Sequence, residues 1–269
     1  MIRTLTLLAL FAGICASAAG KPAKLFLLGG QSNMDGCGRW KDLPEDLRQT
    51  PANVRIWDNR EQVWKRIGED TTAIARNLMF GPEVVFSHRM AKAFPDHEIR
   101  LVKTSAGGTS LAKGWLPDKN KMYPRLIANY RNALADLEKS GHQVETAGML
   151  WMQGEGDSET FEMANAYEAN LVIMLRDLRQ TTATPKLPVV MGRISSGLLK
   201  ATKWNFQLSP IVQKAQEAVA AKDPDTHIVP TDDLSLLEDN THFDSKGQIN
   251  LGERMAAAML KALVPGGND

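Results

Sequence analysis

Cysteine is almost missing from this chain: there are 2 in 269 residues. Disulfides therefore cannot be what stabilises the fold, and no pair of cysteines offers the spacing of a zinc site. Histidine is also scarce, at 5, with no His-x-x-x-His. A metal reading would have to recruit Glu155, Asp157 and His242, and the expectation is no metal and no cofactor. Neither sign of charge dominates, since 32 Lys+Arg stand against 31 Asp+Glu for a formal net charge of +1. No whole-molecule field gathers nucleic acid or an anionic membrane, so no nucleic-acid partner is expected and any ligand must be recognised locally. The glycines from Gly29 to Gly38 lack the Gly-Lys-Ser/Thr ending of a P-loop and the spacing of a dinucleotide fingerprint. Long apolar runs are absent too, none approaching the ~20 residues a membrane-spanning helix needs.

One short apolar run lies near the start. Arg3 precedes an unbroken stretch from Leu7 to Ile14, then Ala16-Ser17-Ala18 supplies small residues fit for cleavage. That is the pattern of an export signal over residues 1–18, with a mature protein outside the cytoplasm, periplasmic or extracellular, and no membrane insertion once the signal is removed. Its loss removes Arg3 and Cys15 and leaves 31 basic against 31 acidic residues, with Cys37 as the remaining thiol. Ile14 stands where lipid attachment at Cys15 wants a small residue, which argues against an anchor.

From residue 19 to 269 no repeat, low-complexity stretch or Pro/Gly/Ser-rich linker interrupts the chain, so it reads as one domain. Five short apolar runs predict buried strands: Leu25 to Leu28, Ile99 to Lys103, Ala147 to Met152, Pro188 to Met191 and His227 to Val229. Between them, Phe86, Met90 and Phe94, then Leu126 to Leu137, then Ala164 to Leu178 repeat at helical spacing. Ser209-Pro210 and Ser245 to Gln248 read as helix starts. Alternation of this kind predicts an α/β fold, three layers with a five-stranded parallel sheet between helices. Val54 to Trp57 and Val63 to Arg66 flank Asp58-Asn59-Arg60 as a hairpin laid beside the sheet.

Ligands in such sheets bind beyond the carboxyl ends of the strands. His97, His142 and His227 precede or begin strands, at the wrong end, and His88 lies within a helix. His242 alone follows a strand, in a loop before the last helix. Asp239, three residues earlier, can turn back onto its imidazole and fix the tautomer. Ser32 follows the first strand, behind two glycines that permit close backbone approach. Alcohol, imidazole and carboxylate complete the parts needed for acyl transfer. Candidate oxyanion donors are the backbone N–H of Ser32, that of Gly108, and the side-chain amide of Gln153, each from a different strand end.

Four blocks in order carry a family resemblance: Gly30-Gln31-Ser32-Asn33-Met34, Gly107-Gly108-Thr109-Ser110, Gln153-Gly154-Glu155, and Asp239-Asn240-Thr241-His242-Phe243. Together they resemble the SGNH hydrolase superfamily, and within it the sialate O-acetylesterase and acetylxylan esterase group, carbohydrate esterase family 6. The resemblance spans about Lys24 to Leu263. It implies a flavodoxin-like SGNH hydrolase fold with Ser32 as nucleophile, His242 as base and Asp239 as the orienting acid. Ser32, Gly108 and Gln153 would form the oxyanion hole, with Gln31, Gly107 and Glu155 in support. Gln153 stands where the wider superfamily has asparagine, and Glu155 competes with Asp239 for the place behind the histidine.

An acetylated carbohydrate is the implied substrate, and Trp40, Trp115 and Trp204, in predicted loops, are candidates to stack on sugar rings. The alternatives are a lipid or thioester hydrolase on the same fold, and a carbohydrate-binding protein without chemistry. The latter has no need for Ser32, Asp239 and His242 together.

Overall fold

The structure is a computed structural model that describes residues 20–71, 78–119 and 121–264. The expected export signal, residues 1–18, lies outside the described residues. The first half of the chain contributes β1 (Ala23–Gly30), α1 (Ser32–Asp35), β2 (Gly38–Arg39), α2 (Glu45–Arg48), β3 (Val54–Asp58), β4 (Val63–Lys65), β5 (Met79–Phe80), α3 (Glu83–Ala93) and β6 (Glu98–Ser105). The second half adds α4 (Met122–Lys139), β7 (Val144–Met152), α5 (Phe161–Thr181), β8 (Val189–Gly192), α6 (Ser209–Lys222), β9 (Thr226–Val229) and α7 (Ser245–Leu263).

The main sheet runs β4-β3-β6-β1-β7-β8-β9. Its last five members reproduce the doubly wound order 2-1-3-4-5, whose strand order reverses beside the first strand. These are the five apolar runs of the sequence. The sheet nevertheless has seven strands rather than the expected five, because the hairpin joins it. β3 pairs in parallel with β6, Val54 opposite Ile99 and Ile56 opposite Leu101, and β4 closes the edge antiparallel to β3. Val54, Ile56 and Trp57 are buried, so the hairpin covers an edge of β6 that would otherwise expose unpaired backbone groups.

β1 is central, paired in parallel with β6 and β7, and every one of its residues is buried. Burial on both faces explains its near-continuous apolar run. α3 and α7 pack together on one face, where Phe86 meets Phe26 edge-on at 5.1 Å. α5 and α6 pack together on the other, and Tyr123 of α4 donates to Asp177 of α5 at 2.5 Å.

Two helix starts differ from the sequence reading by one residue. α7 is capped by Asp244, whose carboxylate accepts from Gly247 N at 2.8 Å, while the Ser245 hydroxyl turns away to Asp42. A carboxylate caps as well as a hydroxyl does and adds a favourable interaction with the helix dipole. For α6 the cap is Leu208, with Ser209 and Pro210 both inside the first turn. Among the described residues no helix is long and apolar enough to cross a membrane.

Candidate active site

Beyond the carboxyl end of β1 the chain turns sharply at Gly30, whose φ of +152° brings its Cα hard against β7. A Cβ there would sit 2.0 Å from the Met152 carbonyl oxygen. The next residues form the single turn α1, with Ser32 at its start. Ser32 Oγ lies 2.9 Å from His242 Nε2, across 210 residues of sequence. His242 Nδ1 lies 2.7 Å from Asp239 Oδ2. The other oxygen of Asp239 accepts from the backbone N–H groups of Thr241 and His242 at 2.9 and 3.0 Å. Burial alone would raise the Asp239 carboxyl, but the bonds from the imidazole and the two amides outweigh it and hold its pKa below the ordinary value. A carboxylate kept ionised beside Nδ1 favours the tautomer with its proton there and leaves Nε2 facing the hydroxyl as an acceptor.

Glu155 does not take this place. It is buried beside Asn33, whose Nδ2 donates to Glu155 Oε1 at 2.6 Å and to the Thr241 carbonyl at 3.0 Å. Asn33 Oδ1 in turn accepts from Phe243 N at 3.0 Å. One side chain thus ties the serine turn to both flanks of His242, a role that sequence inspection missed because an Asn after Ser also reads as simple turn chemistry. Burial pushes the Glu155 carboxyl up to about 7, partly offset by the bond from Asn33.

Of the three expected oxyanion donors, two border the space in front of Ser32. Among the described residues the N–H groups of Ser32 and Gly108 have no protein acceptor. Gly108 has a φ of +68° and open space around its Cα, as a backbone donor facing a ligand requires. Gln153 departs from the expectation. It is fully buried, and its amide nitrogen faces Asp157 Oδ2 at 2.7 Å, Thr109 O at 3.1 Å and Gln31 Oε1 at 3.3 Å. An amide has two N–H bonds, so these acceptors occupy it and none is left for an oxyanion. Gln153 is a brace between the glycine loop and the serine turn. Asp157 completes the brace by accepting from Leu111 N at 2.6 Å and Ala112 N at 3.0 Å.

The three tryptophans separate. Trp115 is fully buried, edge-on to Trp151 at 5.0 Å, with its N–H on Thr109 Oγ1 at 3.1 Å, so it is core and offers no face to a sugar. Trp40 lies half-buried against the core in the turn Trp40–Asp42 and does not line the cavity that holds Ser32. Trp204 alone is 42% exposed at the site, with its ring 5.6 Å from the His242 ring and stacked on Phe206 at 6.1 Å. With Gln31, Gly107, Gly108 and Glu159 these rings bound a cavity of about 190 Å³ over Ser32 and His242. A larger hollow of about 790 Å³ between α5 and α6 holds no such pairing of hydroxyl and imidazole. Among the described residues no group of three His, Cys, Asp or Glu side chains is arranged to hold a metal ion.

Comparison with known proteins identifies the family. Residues 22–261 match the family model described as carbohydrate esterase, sialic acid-specific acetylesterase. The chain belongs to this family. Accordingly it is a carbohydrate esterase, a carboxylic ester hydrolase. A probable carbohydrate esterase of Arabidopsis thaliana is 26% identical over 89% of this chain and 91% of its own length. The crystal structure of an Arabidopsis thaliana protein superposes with a TM-score of 0.75 at 22% identity, covering 90% of this chain and 100% of that one. NanS gives 0.69 at 14% identity over 90% and 98%. A carbohydrate acetylesterase from Xanthomonas citri gives 0.64 at 19% identity over 89% of this chain and 56% of its own. At these identities the structures speak to the shared fold.

The floor beneath the serine turn is ionic. Lys103, at the end of β6, donates to Glu83 at 2.8 Å and to the Asp35 carbonyl at 2.8 Å, while Ser105 donates to Asp35 Oδ1 at 2.9 Å. Lys103 and Glu83 are both buried, and desolvation raises the Glu83 carboxyl although the lysine opposes it. The serine turn therefore rests in part on a buried ionic pair, beside the apolar contacts of Met34. Nothing in the local sequence announced this, since Glu83 and Lys103 are 20 positions apart.

Proposed function

We propose that this protein is an exported serine esterase that removes O-acetyl groups from acetylated sugars or polysaccharides through Ser32, His242 and Asp239. The 2.9 Å contact between Ser32 Oγ and His242 Nε2, in a chain of carbohydrate esterase family, carries the reading. His242 Nε2 accepts the serine proton as Oγ attacks the acetyl carbonyl. The developing oxyanion takes hydrogen bonds from the Ser32 and Gly108 amides. His242 then gives its proton to the departing sugar oxygen, which leaves an acetyl group on Ser32. Water, deprotonated by the same imidazole, attacks that acetyl-enzyme, and acetate departs as Oγ regains its proton. Asp239 stabilises the imidazolium in both halves without taking the proton.

The small cavity supports a short acyl group over a lipid chain, since about 190 Å³ is below the usual range for a drug-sized ligand. Trp204 and Phe206 supply apolar surface on which a sugar ring can stack. Export rests on Arg3, the apolar run and the small residues at 16–18.

The deciding experiment is acetate release from acetylated xylan fragments and from O-acetylated sialic acid by the purified protein, alongside a series of nitrophenyl esters of growing acyl length. Acetate release that disappears in Ser32→Ala, with rates falling steeply beyond the acetyl ester, is the expected result. Turnover that survives Ser32→Ala, or that rises with chain length, sinks the proposal.

A further inference from the structure

Gly108 borders two hollows. One is the small cavity over Ser32, and the other is a cavity of about 470 Å³ that shares Gly108 with it and continues past Thr109 and Ser110. Lys113, Lys121 and Arg125 all border this second cavity, and no acidic residue does. Lys113 comes from the single π-helical turn Leu111–Trp115, Lys121 caps α4, and Arg125 lies one turn into α4. All three are exposed, and among the described residues none forms an ion pair or a side-chain hydrogen bond. Asp157, whose carboxylate feels Lys113, is buried and already takes bonds from Gln153, Leu111 and Ala112.

Stability does not explain this cluster. Three like charges repel across one concavity, and no acidic residue in the first turn of α4 offsets the charge of Lys121 and Arg125. The cavity over Ser32 has the opposite character, with Glu159 as its charged wall residue and neither lysine nor arginine. A carboxylate on the acetylated ring would face Glu159, whereas one carried further along a glycan would meet three cations. At about 190 Å³ the Ser32 cavity encloses only part of such a ligand, so the remainder extends beyond it.

We propose that the hollow bounded by Lys113, Lys121 and Arg125 is an anion subsite that binds the carboxylate of a uronate sugar neighbouring the acetylated sugar. The substrate class is then an acidic glycan whose uronate neighbours the acetylated sugar, a refinement that rests on Ser32 acting as the esterase nucleophile. Arginine holds a carboxylate through two parallel bonds, and the lysines add point charges whose attraction weakens with salt.

The test compares acetate release from an O-acetylated disaccharide whose second sugar is a hexuronate with release from the same compound carrying a primary carboxamide in place of the carboxylate. In wild type at low ionic strength, kcat/KM for the acid should exceed that for the amide by about tenfold, and the ratio should shrink as salt rises. The combined substitution Lys113→Gln, Lys121→Gln, Arg125→Gln should bring the ratio close to one. A wild-type ratio near one, or a ratio the triple variant leaves unchanged, overturns the subsite while leaving the esterase reading intact. Calorimetry of the deacetylated acid and amide on folded Ser32→Ala reads the subsite without turnover. Tighter binding of the acid supports it even if neither compound is hydrolysed, and equal binding overturns it.

Discussion

Asn33 and Glu155 meet at 2.6 Å across 122 residues of chain, and the contact joins the serine turn to the loop after β7. Among the described residues the second carboxylate oxygen, Glu155 Oε2, is buried with no partner. Burial holds the carboxyl near 7, against an ordinary value of 4.5 in the unfolded chain. Between those values the folded protein keeps a proton on Glu155 that the unfolded chain has lost, so the Glu155 contribution to stability falls as pH rises from about 4.5 to about 7 and is flat outside that window. The whole change is on the order of 3 kcal/mol. Glu155→Gln should remove this part of the pH dependence in denaturant titrations, and an unchanged pH dependence refutes the assignment.

The same pair separates two roles for carboxylates. Asp239→Asn removes the charge that sets the His242 tautomer and should lower kcat by about 10⁴-fold with the melting temperature nearly unchanged. Glu155→Gln keeps an acceptor for Asn33 and does not touch the imidazole, so it should lower kcat by less than about tenfold. The reverse ranking in acetate-release kinetics would make Glu155 the acid.

Trp204 and Trp115 should fail in opposite ways. Trp115→Ala opens a void in the core and should cost about 3–5 kcal/mol in unfolding free energy. Trp204→Ala removes a half-exposed ring beside His242 and should raise KM for an acetylated oligosaccharide several-fold at little cost in stability. Equal melting temperatures for the two variants would contradict this division.

Beneath the serine, Lys103→Met leaves Glu83 buried without its partner and should destabilise the protein by about 3–5 kcal/mol. Adding Glu83→Leu should recover most of the loss, because an apolar pair of similar volume avoids the desolvation of both charges. A double variant no more stable than Lys103→Met would show that the pair is not the source of the effect.

Strand positions were readable because burial on both faces of a parallel strand leaves an apolar run, as in Leu25 to Leu28 and Ala147 to Met152. The place of His242 was readable for a similar reason: strand polarity assigns each loop to one end of the sheet, and of the five histidines His242 alone follows a strand, 2.9 Å from Ser32. The hairpin was legible as local pairing, but its parallel partner β6 lies about forty residues away and leaves no mark on Val54 to Asp58. Trp115 was misjudged because a loop position says nothing about depth, and Trp151, which covers it, comes from another strand.

What sequence alone determined is which groups stand beyond the carboxyl ends of the β-strands: an alcohol, an imidazole and a carboxylate, with glycines where backbone must come close. That information is local, written in residue type and in the period of apolar positions. Tertiary structure alone decided which carboxylate meets His242, that the Gln153 amide is consumed by Asp157 and Thr109, and that one tryptophan of three faces the cavity. Those outcomes depend on distances between side chains brought together by packing, and a hydrogen-bond donor can be spent only once on neighbours that the fold selects.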